Sequence, residues 1–237
     1  GVIVGKKLNR TEAGEVIYEN GLPTFDDKVS VLGNGNYDFT LGFRNAFSYK
    51  NLSMSVLVDM KFGADVYSMS KMQSHVNGTS KETLEGREGW YASEQARLSA
   101  NVDAKDWTPT GGYVGKGVKA VTDADGNVSY VPNDVYVDPA KYWQALQNSS
   151  PEPFICDNSF VKLREVSLSY SCPKKWFVHT PIESVTLSAY GRNLLLIYSK
   201  VDNIDPESSY NNGNGQGFEY GSLPSRRTFG FGINVKF

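Results

Sequence analysis

The sequence is poor in the residues that carry most metal and hydrolytic chemistry. Its 237 residues include two histidines and two cysteines. His75 and His179 show no H-x-x-x-H spacing, the cysteines show no C-x-x-C spacing, and no G-x-S-x-G elbow is present. Zinc sites and Ser-His-Asp triads need such arrangements. We therefore expect no metal, no cofactor and no enzyme activity.

The two cysteines do not suggest a disulfide framework. Cys156 and Cys172 are predicted to lie near opposite ends of one strand, about 50 Å apart at roughly 3.3 Å per residue. A disulfide requires Cα atoms within about 7 Å of each other. We expect no disulfide between them.

Long apolar runs and charge of one sign are also missing. The longest apolar runs are only a few residues, such as Leu194–Ile197, whereas a membrane helix needs about 20. Formal net charge is -2, so no basic field attracts nucleic acid, and we expect no nucleic-acid partner. With 13% aromatic residues and 23 glycines, the composition favours β-structure, so any membrane crossing must use strands.

The clearest pattern lies at the end of the chain. Apolar and small or polar residues alternate strictly there: Phe229, Phe231, Ile233, Val235 and Phe237 occupy one face of a predicted strand. An amphipathic strand closed by a terminal aromatic residue is typical of bacterial outer-membrane barrels. Phe237 is accordingly predicted to be an assembly signal.

A second alternating pattern predicts a long hairpin over 39–62, with its turn at Lys50-Asn51. Each strand is about ten residues long, the length that a tilted strand needs to cross a bilayer. Arg44, Asp59 and Lys61 fall on the polar face, which we assign to the barrel lumen. Hydration or packing against a plug would explain the same residues.

Two less regular strands are predicted over 160–171 and 184–198. Around Lys162-Leu-Arg-Glu165 the alternation slips by one residue, which indicates a β-bulge or a strand rising above the membrane.

The connections alternate between short and long, as in bacterial outer-membrane barrels, where periplasmic turns are short and external loops are long. With Phe237 in the periplasm, the order predicts an external loop over 1–35, a transmembrane hairpin over 36–63 and an external loop over 64–156. A second hairpin over 157–198 follows, with a periplasmic turn near 173–181. An external loop over 199–226 leads to the closing strand, 227–237.

The loop over 64–156 is too long to lack structure of its own. Helices are predicted over 81–100 and 139–146, the second with Asp138 as N-cap and Pro139 in its first turn. Residues 123–127 (DADGN) predict a tight turn; Ca²⁺ binding by Asp123, Asp125 and Asn127 is the alternative, but the glycine follows too early for an EF-hand.

Several motifs together resemble one known family. They are FVKLREVSLSY at 160–170, Pro173, GRNLL at 191–195, DPE at 205–207 and RTFGFGINVKF at 227–237, in this order and spacing. Upstream, LGN at 32–34, FTLG at 39–42 and Asp59 with Gly63 extend the similarity to roughly residues 30–237. The chain resembles the C-terminal barrel portion of SusC/RagA-type TonB-dependent outer-membrane transporters.

The resemblance implies a fold and a set of partners. The fold is all-β: these residues would supply about five strands of an antiparallel transmembrane barrel of about 22 strands. The function implied is import of oligosaccharides or oligopeptides across a bacterial outer membrane. The partners implied are a SusD-like surface lipoprotein, outer-membrane lipid, the rest of the barrel and its plug, and the TonB complex through an N-terminal part absent from this sequence.

Aromatic residues of the long loop are the candidate substrate contacts. They could stack on sugar rings or hold a peptide, or they could form the loop's own core; the set is Trp90, Tyr91, Trp107, Tyr113, Tyr142 and Trp143. Two other classes remain open. A soluble extracellular β-sandwich that binds carbohydrate predicts a polar outward face, and a barrel-type outer-membrane enzyme predicts a catalytic His, Ser and acid.

Overall fold

The computed structural model describes residues 1–208, 213 and 215–237, so the predicted loop 199–226 lies partly outside the described residues. The chain divides into two compact units, each described by itself. The sheet unit comprises residue 1, 34–66 and 156–237; the mixed unit comprises 2–33 and 67–155.

Strands dominate the described residues. In chain order they are β1 (Val2–Leu8), β2 (Ile17–Glu19), β3 (Leu22–Pro23), β4 (Phe25–Asn34), β5 (Phe39–Tyr49), β6 (Leu52–Phe62), β7 (Asp65–Ser68), β8 (Val118–Thr122), β9 (Val128–Pro132), β10 (Ile155–Asp157), β11 (Phe160–Ser171), β12 (Ser184–Ser199), β13 (Phe218–Glu219) and β14 (Thr228–Lys236).

The α-helices of the described residues are α1 (Met69–Val76), α2 (Arg87–Ser99) and α3 (Pro139–Ser149). Short 3₁₀ turns cover Lys81–Leu84, Ala104–Asp106, Glu152–Phe154 and Lys174–Trp176. The helix predicted over 81–100 is thus a 3₁₀ turn followed by α2. Asp138 caps α3 as predicted, since its carboxylate accepts the Ala140 N–H at 2.9 Å.

The sheet unit is built on an antiparallel sheet of five strands in the order β14-β12-β11-β6-β5. These are the five strands that the alternation predicted. β5 and β6 pair over their full length, from Phe39 opposite Phe62 to Tyr49 opposite Leu52. Lys50 adopts a positive φ of 54° in the turn between them. The all-β prediction is confirmed.

The predicted phase slip in β11 is a register shift between Leu163 and Glu165, present against both of its neighbours. Against β6 the extra residue is Arg164; against β12 it lies opposite two unpaired residues, Asn193 and Leu194. A bulge is therefore the reason for the broken alternation.

The mixed unit has a conventional core. Buried side chains from β2, α1, α3 and the 3₁₀ turn after α3 pack together: Tyr18, Met72, Tyr142, Trp143, Leu146 and Phe154. A four-stranded sheet, β3-β2-β8-β9, brings Ile17 and Val118 together as parallel partners. The predicted turn at 123–127 closes the β8-β9 hairpin, and Gly126 takes a positive φ of 86° there.

Candidate functional site

One face of the five-stranded sheet is apolar and exposed. The strand register aligns Phe43 with Val58 on β5 and β6, and Leu168 with Ala189 and Phe231 on β11, β12 and β14. Phe231 is 87% exposed, and Phe39, Leu41, Phe47, Phe229, Ile233 and Phe237 are exposed as well. An apolar patch of this extent marks a surface that contacts something other than water.

The opposite face is small and polar. Serines of β6 lie opposite serines of β11, and the hydroxyl oxygens of the pair Ser55 and Ser167 are 2.9 Å apart. The Tyr190 ring lies over Gly230, where a Cβ atom would come within 2.4 Å of the ring. Glycine at 230 therefore makes room for a tyrosine on the polar face.

The three residues predicted for the lumen all lie on this polar face. Lys61 pairs with Thr40, Asp59 pairs with Gly42, and Arg44 is exposed. The Lys61 ammonium lies 5.3 Å from the centroid of the Tyr37 ring, a cation–π distance. Asp59 belongs to an ion-pair network.

That network begins at Lys162, which is only 4% exposed. Its Nζ lies 2.7 Å from Glu207 Oε2 and 3.3 Å from Asp205 Oδ1, and it donates to Ser225 Oγ at 2.7 Å. Ser225 also donates its backbone N–H and its hydroxyl to the Asp205 carboxylate. A buried ammonium requires such partners, because an isolated buried charge is very costly.

Arg164, the bulge residue, extends the network across the sheet. Its Nε donates to Asp59 Oδ2 at 2.6 Å, and its Nη1 donates to Asn193 Oδ1 at 2.7 Å and to Glu207 Oε2 at 2.9 Å. The guanidinium thus joins β6, β12 and the segment after β12. We call Asp59, Lys162, Arg164, Asp205 and Glu207 the latch.

The latch holds the segment 205–207 against the strands. Burial raises the pKa of the Glu207 carboxyl, but hydrogen bonds from Arg164 and Lys162 outweigh it, and the pKa lies below its ordinary value. Burial also raises the pKa of the Asp205 carboxyl. Hydrogen bonds from Ser225 and from backbone N–H groups outweigh burial, so this pKa too lies below its ordinary value. Both carboxylates therefore stay charged at neutral pH.

A polar cavity of about 560 Å³ adjoins this segment. Lys61, Asn158, Glu207 and Ser208 are among the residues that line it. Asn158 Nδ2 donates to Tyr37 Oη at 2.8 Å and to the Pro206 carbonyl at 2.9 Å, which fixes the amide. Among the described residues, Asn158 Oδ1 and Ser208 Oγ are buried and have no hydrogen-bond partner.

In the mixed unit, three of the six predicted aromatic contacts line one cavity. Trp90 and Tyr91 from α2 and Trp143 from α3 surround a volume of about 220 Å³, together with Arg87. Tyr91 is 67% exposed, whereas Trp143 is nearly buried. The cavity combines aromatic faces with a cation.

The other three aromatics make contacts within the unit's own packing. Tyr142 belongs to the core, with its hydroxyl 3.4 Å from that of Tyr18, and Tyr113 packs against it at a ring-centroid distance of 4.4 Å. Trp107 Nε1 donates to the buried Ser93 hydroxyl at 3.1 Å. Burial raises the pKa of both Tyr113 and Tyr142.

The sequence motifs contained the latch, but alternation alone did not reveal it. Lys162, Arg164, Asp205 and Glu207 lie within motifs that carry the family resemblance, yet no pattern rule joins residues 43 positions apart. One feature of the sequence could have indicated the latch: two cations lie where the alternation of β11 breaks, and two carboxylates flank Pro206.

Within the described ranges, the helices are all too short or too polar to cross a membrane. In the same ranges, no three His, Cys, Asp or Glu side chains are grouped so that they could hold a metal ion.

Comparison with known proteins gives relatives of one kind. No family model matches the chain. TonB-dependent receptor P3 of Formosa agariphila is 27% identical over 222 residues, which cover 91% of this chain and 18% of the receptor. TonB-dependent receptor P26 of the same organism is 29% identical over 240 residues, covering 99% of this chain and 20% of the receptor. The chain thus spans about a fifth of the length of these curated relatives.

The fold has matches among solved structures of the RagAB peptide importer. The closed-closed state aligns with a TM-score of 0.57 at 15% identity, covering 100% of this chain and 23% of that chain. The open-open state aligns with a TM-score of 0.59 at 16% identity, covering 100% and 22%. The resemblance predicted from the motifs is confirmed: in sequence and in fold, this chain matches a portion of the TonB-dependent transporters of the SusC/RagA type.

Proposed function

We propose that this chain forms the C-terminal part of an outer-membrane β-barrel that imports oligosaccharides or oligopeptides in a TonB-dependent manner. The observation that carries the proposal is the exposed apolar face of five consecutive antiparallel strands, backed by a face of small, polar and charged residues. A lipid-facing wall requires this arrangement, because hydrocarbon replaces water on one side only. A soluble sandwich would turn its polar face outward.

In this proposal the sheet unit is barrel wall and its polar face lines the lumen, with Arg44, Asp59 and Lys61. Residues 1–35, 64–156 and 199–226 lie outside the cell, and the turns at 50–51 and 173–181 lie in the periplasm. The strand over 227–237 closes the barrel, with Phe237 as its assembly signal. The segment carries out no covalent chemistry.

The substrate contacts that we propose are Trp90, Tyr91 and Trp143, because these three predicted aromatics line a common cavity. A SusD-like lipoprotein would cover the external loops. The plug, the remaining strands and the TonB contact would come from parts of the protein outside this sequence.

The test is expression of the full-length protein in a bacterial host from which the native copy has been deleted. We expect it in the outer-membrane fraction, with an electrophoretic mobility that changes on heating, and we expect growth on its substrate to require TonB. Removal of Phe237 should lower the amount of heat-modifiable protein, whereas removal of the Trp176 side chain in a turn should not. Recovery of the full-length protein in the soluble fraction would contradict the proposal.

A further inference from the structure

One end of the five-stranded sheet gathers aromatic residues at the border of the apolar face. The strand register places Tyr49, Leu52 and Tyr170 side by side on β5, β6 and β11, where they form the last row of that face. Tyr49 is 71% exposed, and Tyr170 is exposed as well. The turn after β11 adds the exposed Trp176. Rings with a polar group therefore replace the phenylalanine and aliphatic side chains of the inner rows.

The same end of the sheet carries more positive than negative charge. Its lysines are all exposed: Lys50, Lys174, Lys175 and Lys236. Its acidic groups are Glu183, which pairs with Lys236 at 3.2 Å, and the carboxylate at the end of the sequence. His179, in the turn after β11, is counted as neutral. Four cations against two anions leave an excess of positive charge at this end.

Three of these lysines have no carboxylate partner among the described residues. The Lys50 ammonium lies 5.2 Å from the centroid of the Tyr49 ring, a cation–π distance. Lys174 and Lys175 belong to the exposed 3₁₀ turn after β11. A lysine beside apolar surface can lay its methylene stem along that surface and keep its charge in a polar phase. The three ammonium groups are thus available to an anion at the border of the apolar face.

An anionic phospholipid has the chemistry that both parts of this surface require. Its acyl chains match the apolar face, and its phosphate groups match the unpaired ammonium groups. Tryptophan and tyrosine concentrate at the level of lipid headgroups, because their rings combine an apolar body with a polar group. An acidic protein would satisfy the lysines, but it would also have to cover an apolar face that crosses all five strands. The charge and the aromatic border together favour lipid.

We propose that this end of the sheet binds the headgroups of anionic phospholipid, with three unpaired lysines at the phosphate groups and three aromatic rings beside them. We call these residues the basic rim: Tyr49, Lys50, Tyr170, Lys174, Lys175 and Trp176. The inference rests on the proposed function, in which the turns at 50–51 and 173–181 lie in the periplasm. It adds a lipid class, that of the periplasmic leaflet, to the partners of the wall.

The test measures lipid contact at the basic rim of the full-length protein in phosphatidylcholine vesicles. A fluorophore is attached to Val178→Cys, in the exposed turn that holds the rim lysines, after the native cysteines have been replaced by serine. Either phosphatidylglycerol or phosphatidylcholine with a nitroxide quencher on its upper acyl chain is then added at the same low mole fraction. We expect phosphatidylglycerol to quench at least about threefold more strongly, because lysines near the surface attract anionic lipid.

Matched variants separate the effect of charge from that of structure. Lys50→Gln, Lys174→Gln and Lys175→Gln together should make the two lipids quench equally, whereas arginine at the same three positions should preserve the preference. Arg226→Gln with Arg227→Gln removes two cations beside the opposite end of β14, about 30 Å away at roughly 3.3 Å per residue. That pair should leave the preference unchanged. A preference that survives the triple glutamine variant would overturn the proposal.

A second label distinguishes failure of the inference from failure of the proposed function. A fluorophore at Phe231→Cys, on the apolar face, should be quenched by both lipids whatever their charge. Quenching at Phe231→Cys combined with equal quenching by the two lipids at Val178→Cys refutes only the basic rim. Quenching at Phe231→Cys combined with none at Val178→Cys also refutes the rim and indicates a protein or water at that turn. No quenching at either position refutes the membrane wall itself.

Discussion

The two units distribute apolar and charged residues in opposite ways. The mixed unit buries Tyr142, Trp143, Leu146 and Phe154 in one cluster, as a water-soluble domain does. The sheet unit buries Lys162 at 4% exposure and leaves Phe231 87% exposed. The same chain therefore contains a unit with a buried aromatic cluster and a sheet whose apolar face is exposed while its polar face holds a buried cation.

This contrast shows what the hydrophobic effect requires of each unit. Apolar surface in water is unfavourable by about 25 cal/mol per Å², so the mixed unit collapses around its aromatic residues. If the sheet contacts hydrocarbon, as we propose, burial of its phenylalanine side chains away from that surface brings no gain in free energy. The polar groups on its other face still need partners, and the latch provides them for two cations.

The largest effect should come from breaking the latch. Lys162→Met leaves the partly buried carboxylates of Asp205 and Glu207 with fewer positive partners, and breaking one side of a buried ion pair costs about 3–5 kcal/mol. We expect a matching drop in the free energy of unfolding of the full-length protein in lipid vesicles, measured by urea titration. Lys236→Met, at an exposed pair with Glu183, should change it by less than about 1 kcal/mol. Equal effects would mean that the latch is not buried in the assembled protein.

A smaller effect should follow a charge on the apolar face. Phe231→Arg places a guanidinium where we propose hydrocarbon, at a cost of about 2–4 kcal/mol near the bilayer midplane. The same unfolding measurement checks it. Asn234→Arg on the opposite face of β14 and Tyr91→Arg in the mixed unit are the controls, with expected changes near the usual ±0.5 kcal/mol of surface substitutions. A similar loss from Phe231→Arg and Asn234→Arg would remove the distinction between the two faces.

The smallest effect should be a response to acid. The folded pKa values of Asp205 and Glu207 are lowered, so their contribution to stability is complete above their ordinary values, near 4. It is lost as the pH falls through the lower folded values. Hydrogen exchange at 205–208, corrected for intrinsic rates, should therefore be slow at pH 7 and faster below about pH 4. Glu207→Gln should reduce the difference; an unchanged pH response in that variant would exclude Glu207 as its source.

The alternation of apolar and polar residues was enough to predict the strands of the sheet unit. Strict alternation in β5, β6 and β14 identifies both the strands and their faces, and the slip near Lys162 identifies the bulge. The latch could not be predicted in the same way, because Asp205 and Glu207 reach Lys162 and Arg164 through tertiary structure. Loop closure over such separations leaves no periodic trace in sequence.

The mixed unit was predicted less well, for a related reason. Its α1 helix, MSKMQSHV, is too short to show a periodic face, and β2 pairs with the distant β8, with Ile17 opposite Val118. Of the predicted aromatics, Trp90, Tyr91 and Trp143 line a cavity, and Trp143 also belongs to the core together with Tyr142. An aromatic residue looks the same in sequence in either place, so only the fold shows what surrounds each one.

The bulge at Arg164 changes which residue numbers of β11 lie on each face of the sheet. Before it, even-numbered residues such as Lys162 face the polar side; after it, even-numbered residues such as Val166 and Leu168 face the apolar side. The extra residue adds a second cation to the strand, while Lys162 stays on the polar face and Val166 and Leu168 stay on the apolar face. Deleting Arg164 would leave the two halves of the strand in phase, because Leu163 and Glu165 already lie opposite the consecutive residues Val58 and Leu57. The deletion would instead remove the guanidinium that joins β6, β12 and the segment after β12.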